Sequence, residues 1–141
     1  MEFDHYGSLI DHIHLRVADL DRSRVFYRAA LVALGLEVAI RDGEDYFSAN
    51  ELWIDAADTA EGPFSRVHLA FRAKDRATVD AFHRAVLEAG GRDNGAPGER
   101  HYHPGYYAAF AFDPDGNNVE AVFHGDAGSS GVPPAPSPRQ G

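Results

Sequence analysis

The 141-residue chain contains no cysteine. That excludes a disulfide framework, a thiolate metal site and a thiol nucleophile. Positive charge is scarce: 13 Lys and Arg stand against 22 Asp and Glu, a net charge of −9. Nucleic acid and anionic membranes are poor partners for such a chain, because phosphate binding needs a basic surface. No apolar run approaches the roughly 20 residues that span a bilayer. The opening Met1-Glu2-Phe3-Asp4-His5 is acidic and lacks the apolar stretch of a signal peptide. A cytoplasmic protein is the expectation. At this length, and 44% hydrophobic, the chain can bury one compact core.

What is present is a repeat. At an offset of 56 positions, Asp11-His12-Ile13-His14-Leu15-Arg16-Val17-Ala18-Asp19 lies over Val67-His68-Leu69-Ala70-Phe71-Arg72-Ala73-Lys74-Asp75. The identities are His12/His68, Arg16/Arg72, Asp19/Asp75, Phe26/Phe82, Arg28/Arg84, Ala29/Ala85, Leu31/Leu87, Ala33/Ala89 and Gly35/Gly91. Two copies of one unit follow, at about 8–58 and 66–124. Each opens with a histidine on its first strand.

In each copy a strand leads into an amphipathic helix. Ile13, Leu15 and Val17 form the helix-facing side of the first strand, and His12 and His14 share the other parity. Asp19 and Asp75 are candidate helix caps, and Gly35 and Gly90-Gly91 end the helices. Leu36–Arg41, Tyr46–Ala49 and Glu51–Asp55 read as strands, the first two joined by a turn at Asp42-Gly43-Glu44. In the second copy, Arg92–Gly105 reads as a long polar loop, with room for one short strand. Tyr106–Phe112 and Asn118–Phe123 are strands joined by the turn Asp113-Pro114-Asp115-Gly116. Residues 1–7 form a loose lead-in, and 56–65 a linker. From Gly125 on, the Pro-, Gly- and Ser-rich composition predicts a disordered tail. The fold class is α+β: strand, helix and three strands, repeated, with two sheets that curl toward each other.

Duplication places equivalent residues across a pseudo-twofold axis, so His12 and His68 can face each other. Glu120 is the natural third ligand. It stands in the apolar run Asn118-Val119-Glu120-Ala121-Val122, where an ionised carboxylate is costly unless paired or bound to a cation. Two imidazoles and a carboxylate leave coordination positions open for water or a bidentate oxygen substrate. Taken singly, a strand histidine is more often a satisfied core or surface residue, and a strand Glu more often solvated.

These residues carry a resemblance. His12, Asp19, Phe26-Tyr27, His68-Leu69-Ala70-Phe71 and Phe112-Asp113-Pro114-Asp115-Gly116-Asn117-Asn118-Val119-Glu120 resemble the vicinal oxygen chelate superfamily. It includes glyoxalase I, extradiol dioxygenases, fosfomycin-resistance transferases and bleomycin-resistance proteins. The resemblance covers roughly residues 8–124, and its most specific block is Asp-Pro-Asp-Gly-Asn-x-x-Glu. It implies paired βαβββ modules around a cupped mixed sheet with the helices outside. It also implies a divalent cation (Fe, Mn, Ni or Zn) on His12, His68 and Glu120, chelating two neighbouring oxygens of a small substrate.

The resemblance does not fix the reaction. Glyoxalase I carries a further Glu on the last strand of its first module. Here that strand is Glu51-Leu52-Trp53-Ile54-Asp55, with Trp53 or Asp55 at the inward position. Isomerase or lyase chemistry, ring-cleaving dioxygenation and thiol transfer all remain open. The other class of function is a metal-free protein that sequesters a drug or metabolite.

The stretch Arg100-His101-Tyr102-His103-Pro104-Gly105-Tyr106-Tyr107 gathers side chains that can move protons and bind oxygen. Its blander reading is a surface loop with aromatic anchors. His101, His103 and Tyr107 are candidate catalytic groups beside Glu120. Arg100, Tyr106, His14 and Trp53 are candidate pocket residues, although core packing is the commoner role of an aromatic such as Trp53. A homodimer is the expected assembly, since relatives pair and some form the site between chains.

Overall fold

The computed structural model describes residues 10–57 and 66–125. The lead-in, most of the linker and the tail after Gly125 lie outside the described residues.

The first module runs β1 (Ile13–Val17), α1 (Leu20–Ala33), β2 (Ile40–Asp42), β3 (Phe47–Ala49) and β4 (Leu52–Ala56). The second runs β5 (His68–Arg72), α2 (Arg76–Glu88), β6 (Arg92–Glu99), β7 (Tyr106–Phe112) and β8 (Asn118–His124). The sheets have one topology. In the order β1-β4-β3-β2, β1 is parallel to β4; in the order β5-β8-β7-β6, β5 is parallel to β8. The repeat read from the sequence is therefore a repeat of βαβββ modules.

Each helix covers one face of its sheet, and the two helices pack on each other. Leu15, Val17, Phe26, Ala30, Phe82 and Val86 belong to one apolar core spanning both modules. Asp19 caps α1 by accepting the Arg22 N–H, and Asp75 caps α2 by accepting that of Thr78. Hydrogen bonds from the Thr78 hydroxyl and N–H hold the Asp75 carboxyl below its usual range. Gly35, at φ +80°, ends α1 in the left-handed region. Its repeat partner Gly91 does another job. A Cβ there would sit 2.7 Å from the Phe26 ring, so the glycine lets α1 approach α2.

Two segments differ from the sequence reading. Leu36–Arg41 is not one strand, because a 3-10 turn occupies Glu37–Ala39 before β2 starts at Ile40. The Leu36 N–H bonds back to the Leu31 carbonyl as the helix closes, and Val38 points outward at 83% exposure. Arg92–Glu99 is a full strand rather than loop. It tolerates Pro97 and its glycines because it is the edge strand, held by β7 through two register shifts. His83 of α2 is largely covered and bonds Asp93 at 2.9 Å.

The Asp113 turn joins the modules. Its buried carboxylate accepts from the Asp115 N–H (2.9 Å), the Asn117 N–H (2.8 Å), the Asn117 side-chain amide (3.0 Å) and the Tyr27 hydroxyl of α1 (2.5 Å). Burial, then Asp113 itself, raises the Tyr27 pKa well above its usual range, so that hydroxyl keeps its proton. On the same turn, Asp115 accepts the Ala18 N–H at 3.0 Å, pinning the end of β1.

Candidate functional site

Strand parity builds the site. Val119 and Ala121 of β8 go into the helix-side core. Glu120 therefore points to the other face, opposite Phe110 on β7 and Ala70 on β5. Its side chain is 1% exposed, and both oxygens are engaged. Oε1 meets His68 Nε2 at 2.7 Å, and Oε2 accepts from the Tyr106 hydroxyl at 2.5 Å. A carboxylate out of water needs such partners. Burial, reinforced by the bond to Glu120, pushes the Tyr106 pKa far above its usual value. Tyr106 thus remains a donor at any physiological pH.

Around Tyr106 stands an aromatic box. The rings of Tyr102, His103 and His124 meet it nearly edge-on at 4.9, 5.2 and 5.2 Å. His103 Nδ1 lies 2.8 Å from the Pro104 carbonyl, which can only accept, so Nδ1 carries the proton. His103 Nε2 is then bare and accepts from His124 Nδ1 at 3.1 Å. Burial, then the neighbouring His103 and Arg72, lower the His124 pKa from 6.5.

That shift has a sign. Between the lowered folded value and 6.5, the unfolded chain binds the proton and the folded chain resists it. Stability should fall as pH drops below about 6.5 toward the folded pKa. Melting curves of wild type and His124→Gln between pH 5 and 8 check this: wild type should lose more on the acid side, and parallel curves would contradict it.

The second module thus unites His68, Glu120, Tyr106, His103 and His124 with the half-buried Arg100, which stacks over Phe110 at 5.2 Å. His101 is exposed, its ring 4.8 Å from that of Tyr102. Tyr107 faces the other way, donating to Asp80 of α2 at 2.7 Å. The sequence matches the Glyoxalase/Bleomycin resistance protein/Dioxygenase superfamily over residues 9–121. The chain belongs to this superfamily.

Solved structures of the superfamily resemble it. A glyoxalase/bleomycin resistance protein from Albidiferax ferrireducens T118 is 28% identical, with a TM-score of 0.65 over 82% of this chain and 98% of its own. A glyoxalase-related enzyme from Fulvimarina pelagi is 19% identical, with a TM-score of 0.64 over 83% and 88%. A lactoylglutathione lyase from Agrobacterium tumefaciens is 23% identical, with a TM-score of 0.54 over 83% and 93%. No curated protein matches the sequence.

Within this superfamily fold, the open face of the first sheet carries a second histidine–carboxylate pair. His14 Nε2 lies 2.8 Å from Asp55 Oδ1, and the Trp53 indole donates to Asp55 Oδ2 at 3.3 Å. Trp53 stacks on Tyr46 at 4.4 Å. The sequence reading weighed Trp53 and Asp55 as alternatives for one inward position. Both share the face of His14, two residues apart on one strand. It missed the His14–Asp55 contact, for which common parity is the available signal.

His12 stands apart. It precedes β1, is 68% exposed at its side chain and contacts Asp11. Among the described residues, no three His, Asp or Glu side chains are grouped to hold a cation. The strand directions explain this. The Ala18 end of β1 meets the turn that starts β8, beside His68. The Ile13 end lines an apolar cleft of about 850 Å³ with residues 69–74, along β5 and just past its end. Six residues of strand, about 20 Å, separate His12 from Ala18.

Proposed function

We propose that the protein is a divalent-metal-dependent enzyme of the glyoxalase or dioxygenase type. Its site forms between two copies: His12 of one with His68 and Glu120 of the other. The observation that carries this reading is Glu120, a buried carboxylate paired with His68 on the sheet face turned away from the helices, while His12 lies exposed at the opposite end of β1 from the turn that leads into β8. The donor set fits a borderline divalent cation, with two imidazoles, one carboxylate and open positions. β1 and β5 are edge strands of their sheets, and such edges favour an isologous dimer.

When bound, the cation would polarise two neighbouring oxygens of a small substrate. The chain's own residues do the rest. Tyr106 fixes the Glu120 carboxylate and keeps its own proton. The His103–His124 pair borders that bond and can exchange a proton with solvent. In a shared cup, the first sheet brings Asp55, oriented by His14 and Trp53, as a carboxylate base. Its presence favours proton-transfer chemistry, isomerase or lyase in type.

Chelator-stripped protein offered Mn, Fe, Ni and Zn should take up one cation per chain and sediment as a dimer, and His12→Ala should lose the cation. No uptake, with ligand binding unaffected by His12→Ala, would identify a metal-free drug- or metabolite-binding protein instead.

A further inference from the structure

We propose that Arg100 is an anion anchor, and that the substrate carries a carboxylate remote from the oxygens that face His68 and Glu120. The inference rests on the reading of that face as the substrate site.

Arg100 sits in a built cradle. A Cβ at Gly95 would lie 3.1 Å from its Nη2 and 3.2 Å from the Phe110 ring, and one at Gly98 would lie 3.2 Å from its Nη1. A side chain at either position would press on the guanidinium, which would have to give by a few tenths of an ångström. The register shifts of β6 fall at the same glycines, so the irregularity of the strand makes the space.

The guanidinium is held without being neutralised. It stacks over Phe110 and donates to the backbone carbonyls of Ala96 at 2.9 Å and Glu99 at 3.4 Å. Among the described residues no carboxylate pairs with it. The Glu99 carboxylate goes to Arg76 at 2.8 Å.

The location links this charge to the site. Arg100, Phe110, Tyr102, Asn94 and Gly95 line a cavity of about 220 Å³. Phe110 is the register partner of Glu120, and its ring lies 6.2 Å from that of His68. The Asn94 amide bonds Asn118, the register partner of His68, at 3.2 Å. A ligand on His68 and Glu120 would therefore reach past the edge of Phe110 toward the guanidinium that covers its ring. A planar fork of donors, stacked on a ring and screened from water on that side, suits a planar carboxylate. The cavity lining holds one cation, which matches one negative charge rather than a phosphonate dianion.

The test titrates the full-length protein with 3,4-dihydroxybenzoate and with its methyl ester, by calorimetry. The two share the ring and the vicinal oxygens and differ in the charge. The acid should bind at least about tenfold more tightly, the size of a charge-assisted hydrogen bond. Arg100→Gln should remove that preference while changing the ester less than about threefold, and Arg100→Lys should restore part of it. Equal affinities in wild type, including no binding of either, would overturn the proposal. So would equal weakening of both ligands in Arg100→Gln, or a preference that survives the substitution. Metal content measured in the same samples separates the two readings: an acid preference without metal uptake sinks the metal centre and leaves the anchor standing.

Discussion

Replacing Asp113 by alanine should destabilise the protein by about 3–5 kcal/mol, lowering its melting temperature by roughly 10 °C or more. The carboxylate receives four hydrogen bonds, from two backbone N–H groups, the Asn117 amide and the Tyr27 hydroxyl. Alanine leaves those donors buried and unsatisfied, at about 1–3 kcal/mol for each that water cannot reach. Asp113→Asn should fall between wild type and alanine, because it retains one acceptor oxygen and turns a donor toward neighbouring donors. Urea unfolding with unchanged m-value checks the size of the effect. A loss below about 1 kcal/mol would show that the turn is not the clamp between α1 and β8.

Glu120→Gln should reduce divalent-metal affinity by 100-fold or more while costing at most about 2 kcal/mol of stability. The amide has nearly the shape of the carboxylate and can still meet His68 and the Tyr106 hydroxyl. It lacks the charge that a cation needs. Tyr106→Phe makes the complementary change. It keeps the charge but frees Oε2, so the metal should bind about tenfold more weakly through loss of orientation. Metal content and thermal melts of both variants, measured together, separate charge from positioning. Equal metal affinity in Glu120→Gln and wild type would contradict the assignment.

Much of this architecture is legible in the residues. The offset that matches His12 with His68 is the offset between two modules of identical topology. Strand parity places Glu120 on the open face, because Val119 and Ala121 are apolar and face the helix. The caps at Asp19 and Asp75 are local chemistry and need no tertiary information.

What escaped the sequence depends on partners distant along the chain. Arg92–Glu99 has the composition of a loop and becomes a strand because β7 offers it a ladder. Tyr106 and Tyr107 are neighbours of one type, and pairing alone decides which meets Glu120 and which meets Asp80. Likewise, the His14–Asp55 contact requires the parallel register of β1 and β4. The pseudo-twofold relation of His12 and His68 left open whether they meet within a chain or between chains. The Ala18–Asp115 bond ties the end of β1 to the turn before β8, and the between-chain site proposed above rests on that direction.

Complementation tests that central claim most directly. His12→Ala and Glu120→Gln homodimers should each lose the metal, since every site in them lacks a ligand. Unfolded and refolded together, they should form mixed dimers in which one site carries both defects and the other is intact. About half the dimers are mixed at random assortment, so metal content should recover to about a quarter of wild type. A mixture that stays as empty as its parents would contradict a site shared between chains.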